Sequence, residues 1–299
     1  MAVSRVVVIK ASRPWTAAGT ADPAVMARMY ARGFALVTGE KDDPGAVSSL
    51  FGSGDRVGIK VNTIGGKALS TGPDVALPLA SFLSRNGLPE KNVFVWDRTT
   101  RELRDAGYAV SAGRGGIKVF GTDAPGVGYG SDLVSHLGVG SLYSNIQTEF
   151  ATASISLAIL KDHGLAGVTA GLKNYFGAIH NPNKYHDSRC DPYVAEVFDA
   201  PPIRPKHRLT VLDALVVQFH KGPSYHARWA AKFGGLIFSL DPVAADTVGW
   251  TIIERLRAGA GLPPLAGEGR APAYLATAAR MGLGRTDPAA IETVEETVS

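Results

Sequence analysis

Residues 161 to 187, KDHGLAGVTAGLKNYFGAIHNPNKYHD, bring together side chains that can do chemistry. The segment holds three of the seven histidines, three lysines and four glycines. Imidazole groups change charge near neutral pH and bind divalent metals, and lysines hold carboxylates and phosphates. The sequence therefore predicts a site here, made of the candidate catalytic residues Lys161, His163, Lys173 and His186.

The histidines allow two interpretations. His163, His180 and His186 are suitable ligands for iron, nickel, zinc or copper, although their spacing matches no local motif such as HExxH. Each could instead be a hydrogen-bonded structural histidine. A later stretch, QFHKGPSYHARW, could cap the same site or form a surface loop resembling a hairpin; its candidate residues are His220 and Lys221 for substrate and His226 as a fourth metal ligand.

Periodicity predicts a helix over residues 165–180, with an apolar face made of Leu165, Val168, Leu172, Tyr175, Phe176 and Ile179. Beside this face runs a stripe of Ala166, Thr169, Lys173, Gly177 and His180. The small residues near Lys173 would leave room for a ligand that Thr169 and Lys173 contact. Alternatively, they permit close packing of the helix on a sheet while Lys173 extends to water.

Further along the chain, β-rich runs alternate with amphipathic ones. Strands are predicted at 5–10, 56–61, 92–96, 116–120, 154–160, 208–217 and 234–240. Helices are predicted at 23–36 and 73–85, and residues 258–272 as a loop before a short helical tail. The order of elements over residues 50–120 predicts an α/β fold with a mainly parallel, Rossmann-like doubly wound sheet and helices on both faces.

We expect one domain over residues 1–299, with its core at about 55–255 and a smaller lobe or boundary near 121–130 and 200–206. Ligands in doubly wound sheets bind beyond the carboxyl ends of the strands. This rule selects residues at or just after the predicted strand ends, namely Lys60, Asn62, Asp97, Lys161, Asp162, His163 and Asp241.

Composition excludes several classes of protein. The 31 basic and 27 acidic residues are dispersed, which disfavours nucleic-acid binding. With Cys190 as the single cysteine, one chain cannot form an all-cysteine iron–sulfur cluster. There is no GxGxxG after the first strand, no P-loop and no GxSxG, so NAD, P-loop nucleotides and serine hydrolysis are disfavoured. No membrane span is apparent, and we expect a soluble protein, either cytoplasmic or exported after removal of a signal.

Three blocks resemble the domain of unknown function 362 family: VGIKVN with the later VFVWD, then KDHGLAGVTAGLKNYFGAI, then LDALVVQFHKGP leading to SLDPVAADTVG. The resemblance covers roughly residues 55 to 255. The ferredoxin-like cysteine segment of many members is missing, so no iron–sulfur relay is implied. The resemblance implicates Lys60, Asn62, Asp97, Lys161, His163, Lys173, Asn174, His186, Asp213, Gly222, Pro223, Asp241 and Asp246.

These residues suggest a division of roles. Lys60 and Lys173 would hold a carboxylate or phosphate, with Asn174 among the substrate contacts, and the histidines would bind a divalent metal or exchange protons. Asp97 or Asp162 would orient a histidine. Asp241 is expected to cap a helix. We expect an enzyme performing proton-transfer, lyase or redox chemistry on a small anionic molecule; the alternative is a non-catalytic metal- or anion-binding or accessory protein.

Overall fold

The computed structural model describes residues 3–111, 113 and 116–299 of the 299-residue chain. Its strands in chain order are β1 (Ser4–Ala11), β2 (Val57–Lys60), β3 (Val93–Asp97), β4 (Lys118–Gly121), β5 (Val134–His136), β6 (Val139–Ser141), β7 (Ala153–His163), β8 (Gly167–Thr169), β9 (His207–Gln218), β10 (Ala230–Ser239) and β11 (Ile291–Val298).

Nine of these strands form the central sheet, in the order β11-β1-β10-β9-β7-β2-β3-β4, with β8 paired to β7. Five of its eight described pairings are parallel: β1 with β11, β2 with β3 and with β7, β3 with β4, and β7 with β9. The antiparallel pairings involve β10 and the short β8. The sheet is therefore mostly parallel, as predicted.

Helices cover both faces of this sheet. They are α1 (Pro23–Thr38), α2 (Asp43–Ser48), α3 (Pro73–Arg85), α4 (Thr100–Asp105), α5 (Gly171–Asn174), α6 (Tyr193–Asp199), α7 (Pro242–Gly259) and α8 (Ala273–Arg280). Side chains alternate along β1, so that Val7 and Ile9 pack in the cluster with α1 to α4, and Val6 and Val8 pack with α7. Among the described helices, none combines the length and the apolar character needed to cross a membrane.

Local signals place the helix starts. Asp22 caps α1 by accepting the backbone N–H groups of Ala24 and Val25. Asp241 caps α7 in the same way, as predicted, and Pro242 follows it at the first helical position. The predicted strands and the helices at 23–36 and 73–85 are all present, with small shifts at their ends. The Rossmann-like α/β prediction is confirmed.

The predicted helix over residues 165–180 is wrong for its first half. β7 continues through His163 and turns back at residues 164–166 into β8, where Gly167 has a φ of 78°. Leu165 lies at this turn and is 49% exposed. Val168 packs in a different apolar cluster from Leu172. The apolar residues that have helical spacing over 165–180 therefore belong to a hairpin followed by a short helix.

Two further features are the chain after α8 and the segment between β4 and β7. The predicted helical tail contains α8, but the chain then forms β11, which pairs in parallel with the edge strand β1. Between β4 and β7, near the lobe predicted at 121–130, β5 and β6 form a separate two-stranded sheet. The residues that follow β6 are hydrogen-bonded to the residues that follow α5. Ser144 N donates to Ala178 O, and His180 N donates to Leu142 O.

Candidate functional site

A cavity of about 170 Å³ lies at the carboxyl ends of β2, β3 and β7. β2 is the switch point of the topology, because the chain continues through α3 to β3 on one side and reaches β7 on the other side only after β4. Ligands of doubly wound sheets bind at such points. The charged and hydrogen-bonding residues that line the cavity are Lys60, Asn62, Asp97, Arg98, Glu102, Lys161, His163, Thr169, Lys173, Asn174, Asn183 and His186.

Lys60 forms a buried ion pair on the floor of the cavity. Its Nζ donates to Asp97 Oδ1 at 2.6 Å, to the Val61 carbonyl at 2.8 Å and to Asn174 Oδ1 at 3.2 Å. Because an ammonium group has three N–H donors, Lys60 has none left for a substrate. These three contacts hold Lys60 within the protein, and its predicted role as a clamp for a carboxylate or phosphate stays a prediction.

Asn174 and Asp97 are also fully occupied. The Asn174 amide donates to the Lys60 carbonyl at 2.8 Å and to Ser156 Oγ at 3.0 Å. Asp97 Oδ2 accepts the backbone N–H and the hydroxyl of Thr63. Together these groups tie β2, β3 and α5 to one another. Asn62 differs, because its Oδ1 is buried in the cavity wall without a hydrogen-bond partner among the described residues.

Lys161 is 1% exposed and lines the cavity from β7. The only hydrogen bond of its Nζ within the described chain goes to the Leu69 carbonyl at 3.3 Å. Burial lowers the pKa of the Lys161 amine to about 8; Asp97 opposes this effect and the charge of Lys173 adds to it. Thr169 lies opposite Lys161 in the register of the hairpin and lines the same cavity.

Lys173 reaches the cavity from α5. Its Nζ donates to His186 Nε2 at 3.2 Å and lies 4.2 Å from the centre of the Phe176 ring. Burial lowers the pKa of Lys173 to about 8. Neither Lys161 nor Lys173 forms an ion pair with a carboxylate in the described part of the chain, whereas Lys60 pairs with Asp97 and Arg98 with Glu102.

Asp246 holds α5 in place. Its two carboxylate oxygens accept the backbone N–H groups of Gly171 at 2.7 Å and Leu172 at 3.0 Å. Burial raises the pKa of Asp246 to about 7. The aspartate implicated on α7 thus positions the turn that carries Lys173 and does not line the cavity itself.

The two cavity histidines have defined tautomers. His163 Nδ1 accepts the backbone N–H groups of Leu165 and Ala166, so the hydrogen of the neutral ring is on Nε2. His186 Nδ1 faces the Pro182 carbonyl at 3.0 Å and must donate, which leaves Nε2 as the acceptor for Lys173. The rings stack with their centres 5.7 Å apart.

The pKa of each imidazole lies below its ordinary value. Burial, followed by the charge of Lys173, lowers the pKa of His163 to about 2. The same two causes lower the pKa of His186, partly opposed by its hydrogen bond to the Pro182 carbonyl. A buried cation next to these rings disfavours a second positive charge.

These donors do not suit a resident divalent metal. No group of three or more His, Cys, Asp or Glu within the described ranges is arranged to hold one. His163 uses Nδ1 for the backbone and carries its hydrogen on Nε2, and the free lone pair of His186 faces an ammonium group. At most one imidazole could bind a metal, and only if Lys173 moved away.

The other predicted ligands lie outside the cavity lining. His180 is exposed and packs edge-on against Tyr129, and His226 is exposed in the loop between β9 and β10. His220 Nδ1 accepts a hydrogen bond from Arg257 at 3.2 Å, and Lys221 does not line the cavity. This loop contributes Pro223 instead.

Asp162 fixes that loop. Its side chain is buried, accepts the backbone N–H of Gly222 at 2.7 Å and pairs with Arg270 at 2.8 Å. Neither Asp162 nor Asp97 hydrogen-bonds to a histidine ring within the described chain; their side chains bind Arg270 and Lys60 instead. Asp213, implicated by the resemblance, faces a different cavity together with Asp74.

Sequence reasoning missed several lining residues. Arg98 and Glu102 form an ion pair at the rim, and Phe176 and Asn183 complete the wall. Arg98 directly follows Asp97, so the rule about strand ends could have found it. The contribution of Asn183 depends on the fold of the loop after α5, for which the sequence offers no local signal.

The sequence profile of a protein family, described as Domain of unknown function (DUF362), matches residues 57–251 of this chain. The match spans β2 to α7 and thus includes the cavity-lining strand ends, the hairpin and α5. A search of curated proteins finds no match to the chain.

Proposed function

Because the chain belongs to the domain of unknown function 362 family, whose description names no activity, we propose a function from the cavity itself. The protein is an enzyme that binds a small carboxylate-bearing molecule and catalyses proton transfer on it. One observation carries this proposal: Lys161 and Lys173 are buried on the same cavity without a carboxylate partner within the described chain.

The electrostatics of the cavity favour an anion. Buried charges are usually paired, because removing an ion from water without a partner costs several kcal/mol, on the order of the whole stability of a small domain. Lys60 and Arg98 meet this requirement within the protein through Asp97 and Glu102. A carboxylate ligand would supply the negative charge that Lys161 and Lys173 lack within the described chain.

The same groups can move a proton. An amine with a pKa of about 8 is close to the working pH of a general base or acid, and Lys173 is in this range. His186 Nε2 accepts from Lys173 and provides a short path for its proton. We therefore assign substrate binding to Lys161 and Lys173, and proton exchange to Lys173 with His186.

Solvent exchange tests this assignment. In D₂O, the wild-type protein should exchange the hydrogens on the carbon next to the carbonyl or carboxylate of a small acid, as followed by proton NMR over a panel of C3 to C5 acids. Lys173→Met should reduce the rate by about 100-fold or more, within the range for loss of a general base. Lys221→Met, outside the cavity, serves as the matched control and should exchange at the wild-type rate.

A non-catalytic anion-binding protein is the second candidate. The observation that favours it is that His163 Nδ1 accepts two backbone N–H groups, which ties this imidazole to the hairpin; burial also lowers its pKa to about 2. This candidate predicts that the acids bind but exchange no faster than in buffer. Exchange in the wild type that persists unchanged in Lys173→Met would contradict the catalytic assignment of Lys173.

A further inference from the structure

We infer that Lys161 forms an imine with the carbonyl carbon of a 2-oxo acid while Lys173 holds the carboxylate of the same molecule. This inference rests on the proposed function and assigns different tasks to the two unpaired lysines. It identifies the substrate class as small 2-oxo acids. The geometry that supports it is that the two amines line one buried cavity but have different hydrogen-bond partners: Lys161 binds the Leu69 carbonyl and Lys173 binds His186.

Lys161 is the less constrained amine. Its Nζ has a single acceptor, the Leu69 carbonyl at the long distance of 3.3 Å, and it makes no ion pair within the described chain. Its side chain is nevertheless buried at the end of β7, which limits the water available to hydrolyse an imine. Lys60, which is equally buried, has all three of its N–H donors occupied and cannot take this role.

Of the two amines, Lys173 is better suited to be the protonated one when the acid binds. Its ammonium group lies over the Phe176 ring and donates to His186 Nε2, and both contacts favour the charged form. Its charge in turn disfavours a second charge on Lys161. A neighbouring cation that keeps a desolvated lysine partly neutral is a recognised way of activating an amine as a nucleophile.

The reaction balances with groups that are present. The neutral Lys161 amine adds to the C2 carbonyl of the acid, and the oxygen takes a proton to give a carbinolamine. Loss of water then leaves a C2=Nζ imine, with no oxidant or reductant required. Lys173 can donate a proton to the departing oxygen, and the Nε2–H of His163 can hydrogen-bond to it. Protonation of the imine makes the C3 hydrogens more acidic, which links this step to the proposed proton transfer.

Reductive trapping tests the inference. The 299-residue protein is incubated with pyruvate at pH 8, treated with sodium borohydride, digested and analysed by peptide mass spectrometry. We expect the reduced pyruvate adduct on Lys161 of the wild type, and at least 10-fold less total adduct in Lys161→Arg and Lys161→Met. Lys221→Arg is the matched control and should trap as the wild type does.

Malonate, which has no ketone, separates the two proposals. Malonate binding without a pyruvate adduct overturns the imine and leaves the proposed function standing. An adduct found on Lys173, or spread over surface lysines, also overturns the assignment to Lys161. If malonate does not bind either, both proposals are contradicted. Circular dichroism of each variant excludes unfolding as the cause of a lost adduct.

Discussion

At the scale of single residues, what distinguishes Lys161 and Lys173 from the other cations of the cavity is their lack of a carboxylate partner within the described chain. The sequence could identify Lys60, Asp97 and Lys161 as candidate site residues, because it shows which residues lie at the end of a predicted strand. The partners are not visible there. The Leu69 carbonyl that meets Lys161 and the Asp97 carboxylate that neutralises Lys60 come from distant parts of the chain.

His163 should make the stability of the fold sensitive to acid. Its pKa is about 2 in the folded protein against 6.5 ordinarily, so the unfolded chain binds a proton below pH 6.5 that the folded chain does not. Stability is therefore lost as pH falls below 6.5, by about 2 kcal/mol at pH 5. The free energy of unfolding, measured with urea at pH 7.5 and at pH 5, should fall between the two pH values. This fall should be about 2 kcal/mol smaller in His163→Gln than in the wild type.

The exposed His226 provides the control for this experiment. His226→Gln should show the same drop in unfolding free energy as the wild type, because its ring lies in an exposed loop. An equal drop in wild type and His163→Gln would contradict the assignment of a neutral, backbone-bonded ring to His163.

At the scale of elements, the β7–β8 hairpin and α5 present Lys161 and Lys173 to one cavity. The helical period over residues 165–180 predicted one continuous helix, and the side-chain pattern alone could not distinguish it from a hairpin plus a short helix. The glycines at 164 and 167 were the available turn signal. Of the predicted stripe, Thr169, Lys173 and Gly177 still line the cavity, because the hairpin and α5 both end beside it; Ala166 and His180 do not.

Gly177 is required where the turn after α5 approaches β2. A Cβ at this position would lie 2.7 Å from Lys60 Nζ and 3.0 Å from Asp97 Oδ1, atoms whose hydrogen bonds hold them in place. Gly177→Ala should therefore lower the free energy of unfolding by about 1–3 kcal/mol, measured by urea denaturation. Gly259→Ala, at the end of α7 with nothing within 4 Å of the new Cβ, should be neutral or slightly stabilising. Equal effects of the two substitutions would contradict this packing.

At the scale of the whole molecule, the apolar clusters on the two faces share the strands of one sheet. β1, β7, β9 and β10 each contribute alternate residues to the cluster with α1 to α4 and to the cluster with α7. The doubly wound order could be predicted because β-rich and amphipathic runs alternate over residues 50–120. The pairing of β11 with β1 could not, since it joins opposite ends of the chain and leaves no local pattern.

This shared sheet favours the predicted single domain over residues 1–299. Calorimetry should therefore show one cooperative unfolding transition, with agreement between the calorimetric and van't Hoff enthalpies. The segments around β5, β6 and α6 pack together in one apolar cluster with Phe94 and Trp96 of β3 and should unfold with the rest. Two separated transitions would instead indicate that this part is an independent lobe.

Titration calorimetry with malonate is the most direct test of the anion-binding cavity. We expect the wild type to bind malonate at pH 7, and Lys161→Met and Lys173→Met each to weaken binding by about 10- to 100-fold, the value of a charge-assisted hydrogen bond. Lys221→Met should bind as the wild type. Affinity should fall at pH 9, because the two amines have pKa values of about 8 and lose their charge above it. If the wild type does not bind malonate, or if Lys161→Met and Lys173→Met bind it as tightly as the wild type, anion binding by these two lysines is contradicted.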